Sequence, residues 1–243
     1  MPSRYNMSST HQYDTQGPFI RADDLTKRFS LGSGDVLAVR NVRLTVRKGE
    51  FLCIIGPSGS GKSTLLYMLG CLMMPTEGAL YYNQQDITRF SALERARFRR
   101  RHIGFIFQSF HLLHYLNAIQ NVELPLMYQR LPGKLRLKRA KDALENVGLA
   151  SRMHHMPTQM SGGEQQRVAI ARALVSEPEI VCADEITGNL DTNTGRDIIT
   201  MLQTLNKDKG ITIVLVTHDH TIAALSDRKI HLQDGVVVGE DSP

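Results

Sequence analysis

The sequence predicts an α/β fold with a mainly parallel sheet. A glycine-rich loop, Gly56-Pro57-Ser58-Gly59-Ser60-Gly61-Lys62-Ser63, carries most of that expectation. An apolar strand run, Phe51-Leu52-Cys53-Ile54-Ile55, leads into it, and an apolar helical run from Thr64 to Leu69 follows. Two further apolar runs, Ile180 to Ala183 and Ile211 to Val216, read as buried strands. Helical patterns at 162–176 and 191–205 sit between and beside them, as α/β units require.

The loop fits G-x-x-x-x-G-K-[ST]. A chain of this length matches that bare pattern by chance roughly once in a hundred, so the flanking strand and helix carry the reading. Glycines let the backbone turn tightly and point successive N–H groups inward as an anion nest. The helix start adds unpaired donors and the positive end of its dipole. Lys62 is placed to reach β- and γ-phosphates, and the Ser63 hydroxyl to bind Mg²⁺. The core expected here is therefore a P-loop NTPase core.

Composition sets outer bounds. The 243 residues suffice for one large domain, or a core with a subdomain. No apolar run approaches the ~20 residues needed to span a bilayer, and the start lacks the charged-then-apolar pattern of a signal peptide; both favour a cytoplasmic setting. The 3 cysteines, Cys53, Cys71 and Cys182, lie in apolar runs without C-x-x-C spacing, which reads as buried structural thiols in a reducing compartment. A net charge of +5 is compatible with nucleotide, nucleic acid or a membrane surface and selects none of them.

Along the chain, residues 1–18 are polar and aperiodic and read as a disordered tail. From Phe19 to Glu50, alternation predicts antiparallel strands turned at Gly32-Ser33-Gly34-Asp35. Phe29 ends the first of them; it suits a strand-end core residue or a ring for a nucleobase. After the loop helix, Pro75-Thr76-Glu77-Gly78 turns into a strand at Ala79–Tyr82. Ser91-Ala92-Leu93-Glu94 has capping-box form and opens an arginine-rich helix through Arg101, read as a solvated face rather than a phosphate track. Ile103 to Phe107 is a buried strand ending at Gln108. Residues 109–165 then change character. Short helical patterns, Asn117 to Leu124 before Pro125 and Lys134 to Val147 before Gly148, predict an inserted helical subdomain. His154-His155 lacks metal-ligand partners. The end, Arg228 to Gly239, reads as a hairpin turned at Asp234-Gly235.

Further chemistry sits at strand ends. Asp184 closes the most apolar strand, where a P-loop enzyme holds Mg²⁺ opposite the loop. Glu185 follows at the carboxyl edge, where open α/β sheets bind ligands, and is placed to take a proton from water. Gln108 and His218 also end strands and point to the same crevice. Ser161-Gly162-Gly163, at a helix N-terminus, offers a second anion site.

These stretches together resemble the ATP-binding subunit of an ABC transporter over roughly residues 19–240. The Walker A loop is 56–64, including Thr64, and Gln108 matches the Q-loop. Met160 to Arg167 resembles the signature, and Ile180 to Glu185 the Walker B strand. Asn189-Leu190-Asp191 resembles the D-loop, and Thr217-His218-Asp219 the switch histidine. Phe29 falls where the family puts an adenine-stacking aromatic. Gly104 to Gln108, Asn121 to Leu126 and Arg167 to Ala173 are similar to the lipoprotein-releasing and macrolide-export subfamily. Two departures stand out. Met160 replaces the usual Leu, a volume-conserving change. Ile186 replaces the Pro after the Walker B glutamate, restoring an N–H and freeing φ.

The resemblance implies a RecA-like core and a homodimer sandwiching two ATP molecules, each between Walker A of one subunit and Ser161, Gly162, Gly163 and Asp191 of the other. It implies Mg²⁺ held by Ser63, Asp184 and Gln108. It gives Glu185 the attacking water, His218 the γ-phosphate, and Gln108 the link to the helical subdomain. It implies a separate integral membrane permease, with the ATPase peripheral on the cytoplasmic face of the inner membrane, extruding or releasing a lipoprotein, peptide or drug-like cargo, and no nucleic acid. Ser109 to Tyr128, with Phe110, Leu112, Leu113, Tyr115 and Leu116, is the expected docking stretch, with His111 and Asn117 as crosslinking positions. The competing class is a soluble ABC-type ATPase acting on nucleic acid or ribosomes. Against it, the interval from Lys62 to Ser161 has no sustained heptads and the chain holds one such domain. A small-molecule kinase leaves the signature and His218 unexplained.

Overall fold

In the computed structural model, which describes residues 17–32 and 34–241, the chain opens with an antiparallel pair, β1 (Ile20–Leu31) and β2 (Gly34–Val46). Residues 1–16 of the expected tail, and Ser33 of the expected turn, lie outside the described residues; Gly17 and Pro18 are exposed. Strand β3 (Phe51–Ile55) runs into the glycine loop and helix α1 (Lys62–Leu69). Strands β4 (Glu77–Tyr82) and β5 (Gln85–Asp86) return to the first pair, giving an antiparallel sheet in the order β2-β1-β4-β5. Helix α2 (Ala92–His102) then leads to β6 (Ile103–Ile106). Its start is the expected capping box: Ser91 accepts from the Glu94 N–H at 3.3 Å, and Glu94 accepts from the Ser91 N–H at 2.7 Å. Such a cap stabilises a helix by about 1 kcal/mol.

Helices α3 (Ala118–Tyr128) and α4 (Gly133–Asn146) follow, then α5 (Gly162–Leu174) and β7 (Ile180–Asp184). The last part comprises α6 (Thr192–Lys209), β8 (Thr212–Thr217), the short α7 (His220–Ala223) and the pair β9 (Arg228–Gln233) and β10 (Val236–Asp241). The second sheet has the order β10-β9-β3-β8-β7-β6, parallel throughout except for β10. Its last hairpin turns at Asp234 and Gly235, both at positive φ, 48° and 79°.

The central strands of this parallel sheet, β3, β7 and β8, are buried on both faces, which is why they read as continuous apolar runs. Period-two alternation deals each strand's side chains to two cores. Phe51, Cys53 and Ile55 join Val181, Ala183, Ile213 and Leu215 in a core shared with α3 to α6. Leu52 and Ile54 join Cys182, Val214 and Val216 in a core closed by α1, β1 and β2. Each fully buried Leu or Ile contributes roughly 1.5–3 kcal/mol. The parallel strands therefore share one carboxyl edge, where Ile55, Asp184 and Thr217 end side by side.

Two helix ends differ from the sequence expectation. Helix α3 does not stop before Pro125 but runs through it to Tyr128. An interior proline costs about 3 kcal/mol. Ile119, Val122 and Leu126 bury a face around it, and the buried Asn121 amide donates to the Leu113, Leu116 and Asn117 carbonyls, so packing overrides the breaker. Helix α6 continues past Leu205 to Lys209, where Gly210 at φ 63° supplies the left-handed cap.

Candidate active site

The glycine loop stands at the carboxyl end of β3, its crown Pro57 to Gly59 exposed and Ser60 buried. Gly61 is the N-cap of α1 at φ 98°, and no side chain caps that helix. Helices α2, α3, α5 and α6 are each capped by their own Ser91, Asn117, Ser161 and Asp191. Helix α1, like α4 behind Pro132, has no side-chain cap, and at the end of the glycine loop it presents its first N–H groups without a side-chain acceptor, as an anion site requires. Gly61 is also held to glycine by space: an added Cβ would lie 2.1 Å from the Ala38 carbonyl oxygen of β2.

Lys62 is 4% exposed, yet its ammonium donates one hydrogen bond, to the Pro57 carbonyl at 2.8 Å. Its nearest carboxylate is Glu185, at 3.9 Å. A desolvated cation so loosely paired is a strong attractor for an anion entering the loop. Ser63 donates to Asp184 Oδ1 at 2.8 Å. Glu185 holds φ 44°, an uncommon conformation for a non-glycine residue and one that collects at functional sites. Its N–H donates to the Val216 carbonyl at 3.0 Å, which pins it to the end of β8 and brings His218 Nδ1 within 3.3 Å of its carboxylate.

Lys62, Ser63, Asp184, Glu185 and His218 are thus brought together. Gln108 is not joined to them: its amide lies against Gly188, where an added Cβ would meet Nε2 at 2.7 Å, and Asn189 donates to its carbonyl at 3.0 Å. Phe29 is half-buried on β1 opposite Val36, two positions along β2 from Ala38, with the Lys27 ammonium 5.4 Å above its ring. Ser161 caps α5 through a second reciprocal box, accepting from Glu164 N–H at 3.3 Å and donating to Glu164 at 2.8 Å. The neighbours of Gly162 and Gly163 are Leu190, Phe110, Asn189 and Thr194, none of them loop residues. Asp191 caps α6, accepting from the Thr194 N–H at 3.1 Å.

The two family departures are absorbed locally. Met160 is buried in the helical core. Ile186 is 2% exposed, and the following turns close through Gly188 N–H to Glu185 carbonyl at 2.9 Å and Leu190 N–H to Thr187 carbonyl at 3.0 Å.

Sequence reasoning missed Tyr67. Its hydroxyl donates to Asp184 Oδ2 at 2.6 Å. Burial and that carboxylate push the phenol's pKa well above its ordinary value, so it is a donor throughout the working range. The available signal was spacing: Tyr67 follows Ser63 by four residues and shares its helix face.

An open apolar groove of about 730 Å³ lies beyond, floored by Leu72, Leu93, Phe105, Phe107, Leu124 and Pro125. Arg97, Arg100, Arg130 and Arg172 border it. Of the expected docking residues, Leu112 is buried and Phe110 packs against the core, so neither is available; Tyr115 is exposed.

The donors present fit the expected ligands. Ser63 and Asp184 form an all-oxygen pair suited to a hard cation such as Mg²⁺, and the uncapped helix with buried Lys62 suits phosphate.

A loop of this kind between β3 and α1, facing Asp184 across a parallel sheet, defines a P-loop NTPase. Residues 39–188 match the model of the ABC transporter family. The chain belongs to that family, as an ATP-binding cassette. It is 48% identical over 219 residues to the uncharacterized ABC transporter ATP-binding protein MJ1508 of Methanocaldococcus jannaschii, covering 90% of this chain and 97% of that one. It is 45% identical over 223 residues to the macrolide export ATP-binding/permease protein MacB of Burkholderia lata, covering 92% of this chain and 32% of MacB. Among solved structures, a dimeric post-hydrolysis state of the cassette MJ0796 bound to ADP and Pi superposes with TM-score 0.86 at 43% identity, covering 92% of this chain and 98% of that one.

Proposed function

We propose that this cassette hydrolyses ATP as a homodimer and drives a separate membrane permease. The observation that carries the reading is the convergence of Lys62, Ser63, Asp184, Glu185 and His218 at one sheet edge. The loop from Gly56 to Thr64 cradles the phosphates, and Lys62 neutralises charge on the β- and γ-groups. Ser63 and Asp184 would hold Mg²⁺, which would supply positive charge to offset the negative charge of the phosphates. Glu185 orients the attacking water and takes its proton. His218, already at the Glu185 carboxylate, holds the γ-phosphate side of that geometry. Gln108, whose amide lies against Gly188, would join the metal site and link it to the helical subdomain at 109–165. Phe29 stacks on the base.

The α5 start shares a surface hollow with Asn189, Leu190, Asp191 and Thr194 and not with its own loop, so on this reading a second copy brings Ser161, Gly162 and Gly163 to the γ-phosphate. MJ0796, dimeric with ADP and Pi, supports that arrangement. ATP then closes the dimer and hydrolysis releases it.

No helix among the described residues is long and apolar enough to cross a membrane. The path for cargo must come from other residues, and the arginine-bordered groove is the surface to grip them. An amphipathic helix with an apolar face and acidic flanks fits it. Docking there places the cassette on the cytoplasmic face of the membrane. Resemblance to MacB, named as a macrolide export protein, favours export, and the cargo proposed is a lipoprotein, peptide or drug-like molecule. The nucleic-acid reading is not favoured, because Arg97 and Arg100 of α2 flank an apolar floor that a nucleic acid would leave uncovered. Phosphate release from ATP by the purified chain, abolished in Lys62→Ala, tests the core of the proposal; ATP turnover that survives that change overturns it.

A further inference from the structure

Asp184 is held at both carboxylate oxygens. Ser63 donates to Oδ1 at 2.8 Å and Tyr67 to Oδ2 at 2.6 Å. Both donors come from one face of α1, four residues apart, and reach across to the end of β7. A carboxylate gripped by one oxygen can rotate about its last bond; gripped by two it cannot. The Tyr67 bond therefore fixes which oxygen faces Ser63, the hydroxyl on the metal side.

Tyr67 is itself braced. Its ring meets Phe107 edge-on, with centroids 6.4 Å apart, and Phe107 stacks on Phe105 at 5.5 Å. Its carbonyl accepts from the Leu72 and Met73 N–H groups at 2.9 and 3.0 Å, which anchors the backbone at the end of α1. A half-buried tyrosine with an apolar wall on one side and a carboxylate at its tip is pre-organised in the sense that outer partners orient metal ligands.

We propose that Tyr67 is a positioning residue of the metal site: its hydroxyl locks Asp184 so that Oδ1 is presented, together with Ser63, to the divalent cation that accompanies the nucleotide. The inference rests on the reading of Asp184 as the metal-facing carboxylate. Tyr67 touches neither nucleotide nor metal; it acts through Asp184.

The test reads metal binding rather than turnover. Free Mn²⁺ is followed by electron paramagnetic resonance in titrations of the whole chain with ADP present, for the unaltered protein, Tyr67→Phe and Asp184→Asn. Tyr67→Phe keeps the ring against Phe107 and removes only the hydroxyl. It is expected to weaken Mn²⁺ binding roughly tenfold, while affinity for a fluorescent nucleotide in EDTA stays as in the unaltered protein. Asp184→Asn is expected to weaken Mn²⁺ at least as much. Unchanged Mn²⁺ affinity in Tyr67→Phe, with Asp184→Asn impaired, overturns the role of Tyr67 alone. Unchanged affinity in both overturns the reading of Asp184 and the inference with it. A second measurement does not depend on Tyr67→Phe: ¹⁹F resonance from 3-fluorotyrosine at position 67 should shift when Mg²⁺ is added to the ADP-bound chain and stay fixed when Asp184→Asn is also present. A resonance indifferent to Mg²⁺ in the first case makes Tyr67 a packing residue.

Discussion

Lys62 Nζ and Glu185 Oε1 stand 3.9 Å apart, the lysine 4% exposed and the glutamate 23%. The pair is a loose contact, and on the proposed function it lies across the place where the γ-phosphate enters. The lysine has an attractive task toward the incoming anion and the glutamate a repulsive one, which is tolerable only if the glutamate acts on water instead. Glu185→Gln removes the base and the repulsion and keeps the shape. It should bind ATP at least as well as the unaltered chain, lose turnover by on the order of 10²-fold or more, and accumulate an ATP-bound dimer on a sizing column. Turnover near normal would remove Glu185 from the base role. Lys62→Ala should instead lose nucleotide affinity itself, measured by fluorescent-nucleotide titration.

Gly61, Lys62, Asp184 and Glu185 were legible because their placement follows from local rules. An apolar run dictates a doubly buried strand, and a polar residue at its end must emerge at the sheet edge. His218 was legible for the same reason. Tyr67 was not, since its partner lies 117 residues away and only the parallel sheet brings Asp184 beside α1. Pro125 was misread because the breaker rule is local, while the burial of Val122 and Leu126 that overrides it is tertiary. The end of α6 was misplaced for want of weight on Gly210 as a cap. Asn117, expected as a crosslinking position, also caps α3, its side chain accepting from the Gln120 N–H at 3.0 Å, so a cysteine there costs the helix about 1 kcal/mol.

The composite site can be tested by mixing lesions. A Cβ at Gly162 would lie 3.4 Å from the Leu190 side chain, so Gly162→Asp fits the fold while placing negative charge at the α5 start. Gly163 allows no such change, since a Cβ there would strike Thr194 Cγ2 at 2.6 Å. Lys62→Ala and Gly162→Asp chains, each inactive alone, should regain part of the ATPase activity when combined. In the mixed dimer one site carries both lesions and the other carries neither. Proven heterodimers without any recovery would count against trans composition or show strict coupling; a dimer of unaltered and doubly altered chains separates the two.

Glu164 supplies a pH dependence. The Ser161 backbone N–H and hydroxyl hold its carboxyl below the ordinary glutamate range. A lowered folded-state value means the contribution is present above the unfolded pKa and is lost as pH falls through the folded one. The α5 start should therefore loosen on acidification, below about pH 4. Glu164→Gln keeps an acceptor and loses the charge. Its melting temperature should fall less steeply between about pH 5 and pH 3 than that of the unaltered chain. Parallel slopes would show that the capping box carries no titrating share of stability.

The groove offers the sharpest division between a transporter and any other ATPase. Its floor is apolar, its border carries Arg97, Arg100, Arg130 and Arg172, and Tyr128 beside it is 70% exposed. An acidic amphipathic helix entering there gains buried apolar area and charge pairing together, whereas a nucleic acid gains the charge and not the area. The three native cysteines are buried, and burial pushes the Cys53 and Cys71 thiols up to about 12, so an introduced cysteine reacts alone. Cysteine at Tyr128 or Leu93, both solvent-facing, should crosslink in native membranes to a cytoplasmic segment of a multispanning protein, identified by mass spectrometry of the adduct. Arg100→Glu should abolish that crosslink by opposing the acidic flank, and a compensating acid-to-base change in the captured segment should restore it. Adducts only to RNA-associated proteins, together with ATPase stimulation by RNA that collapses as salt is raised, would sink the transport reading and leave the ATPase standing.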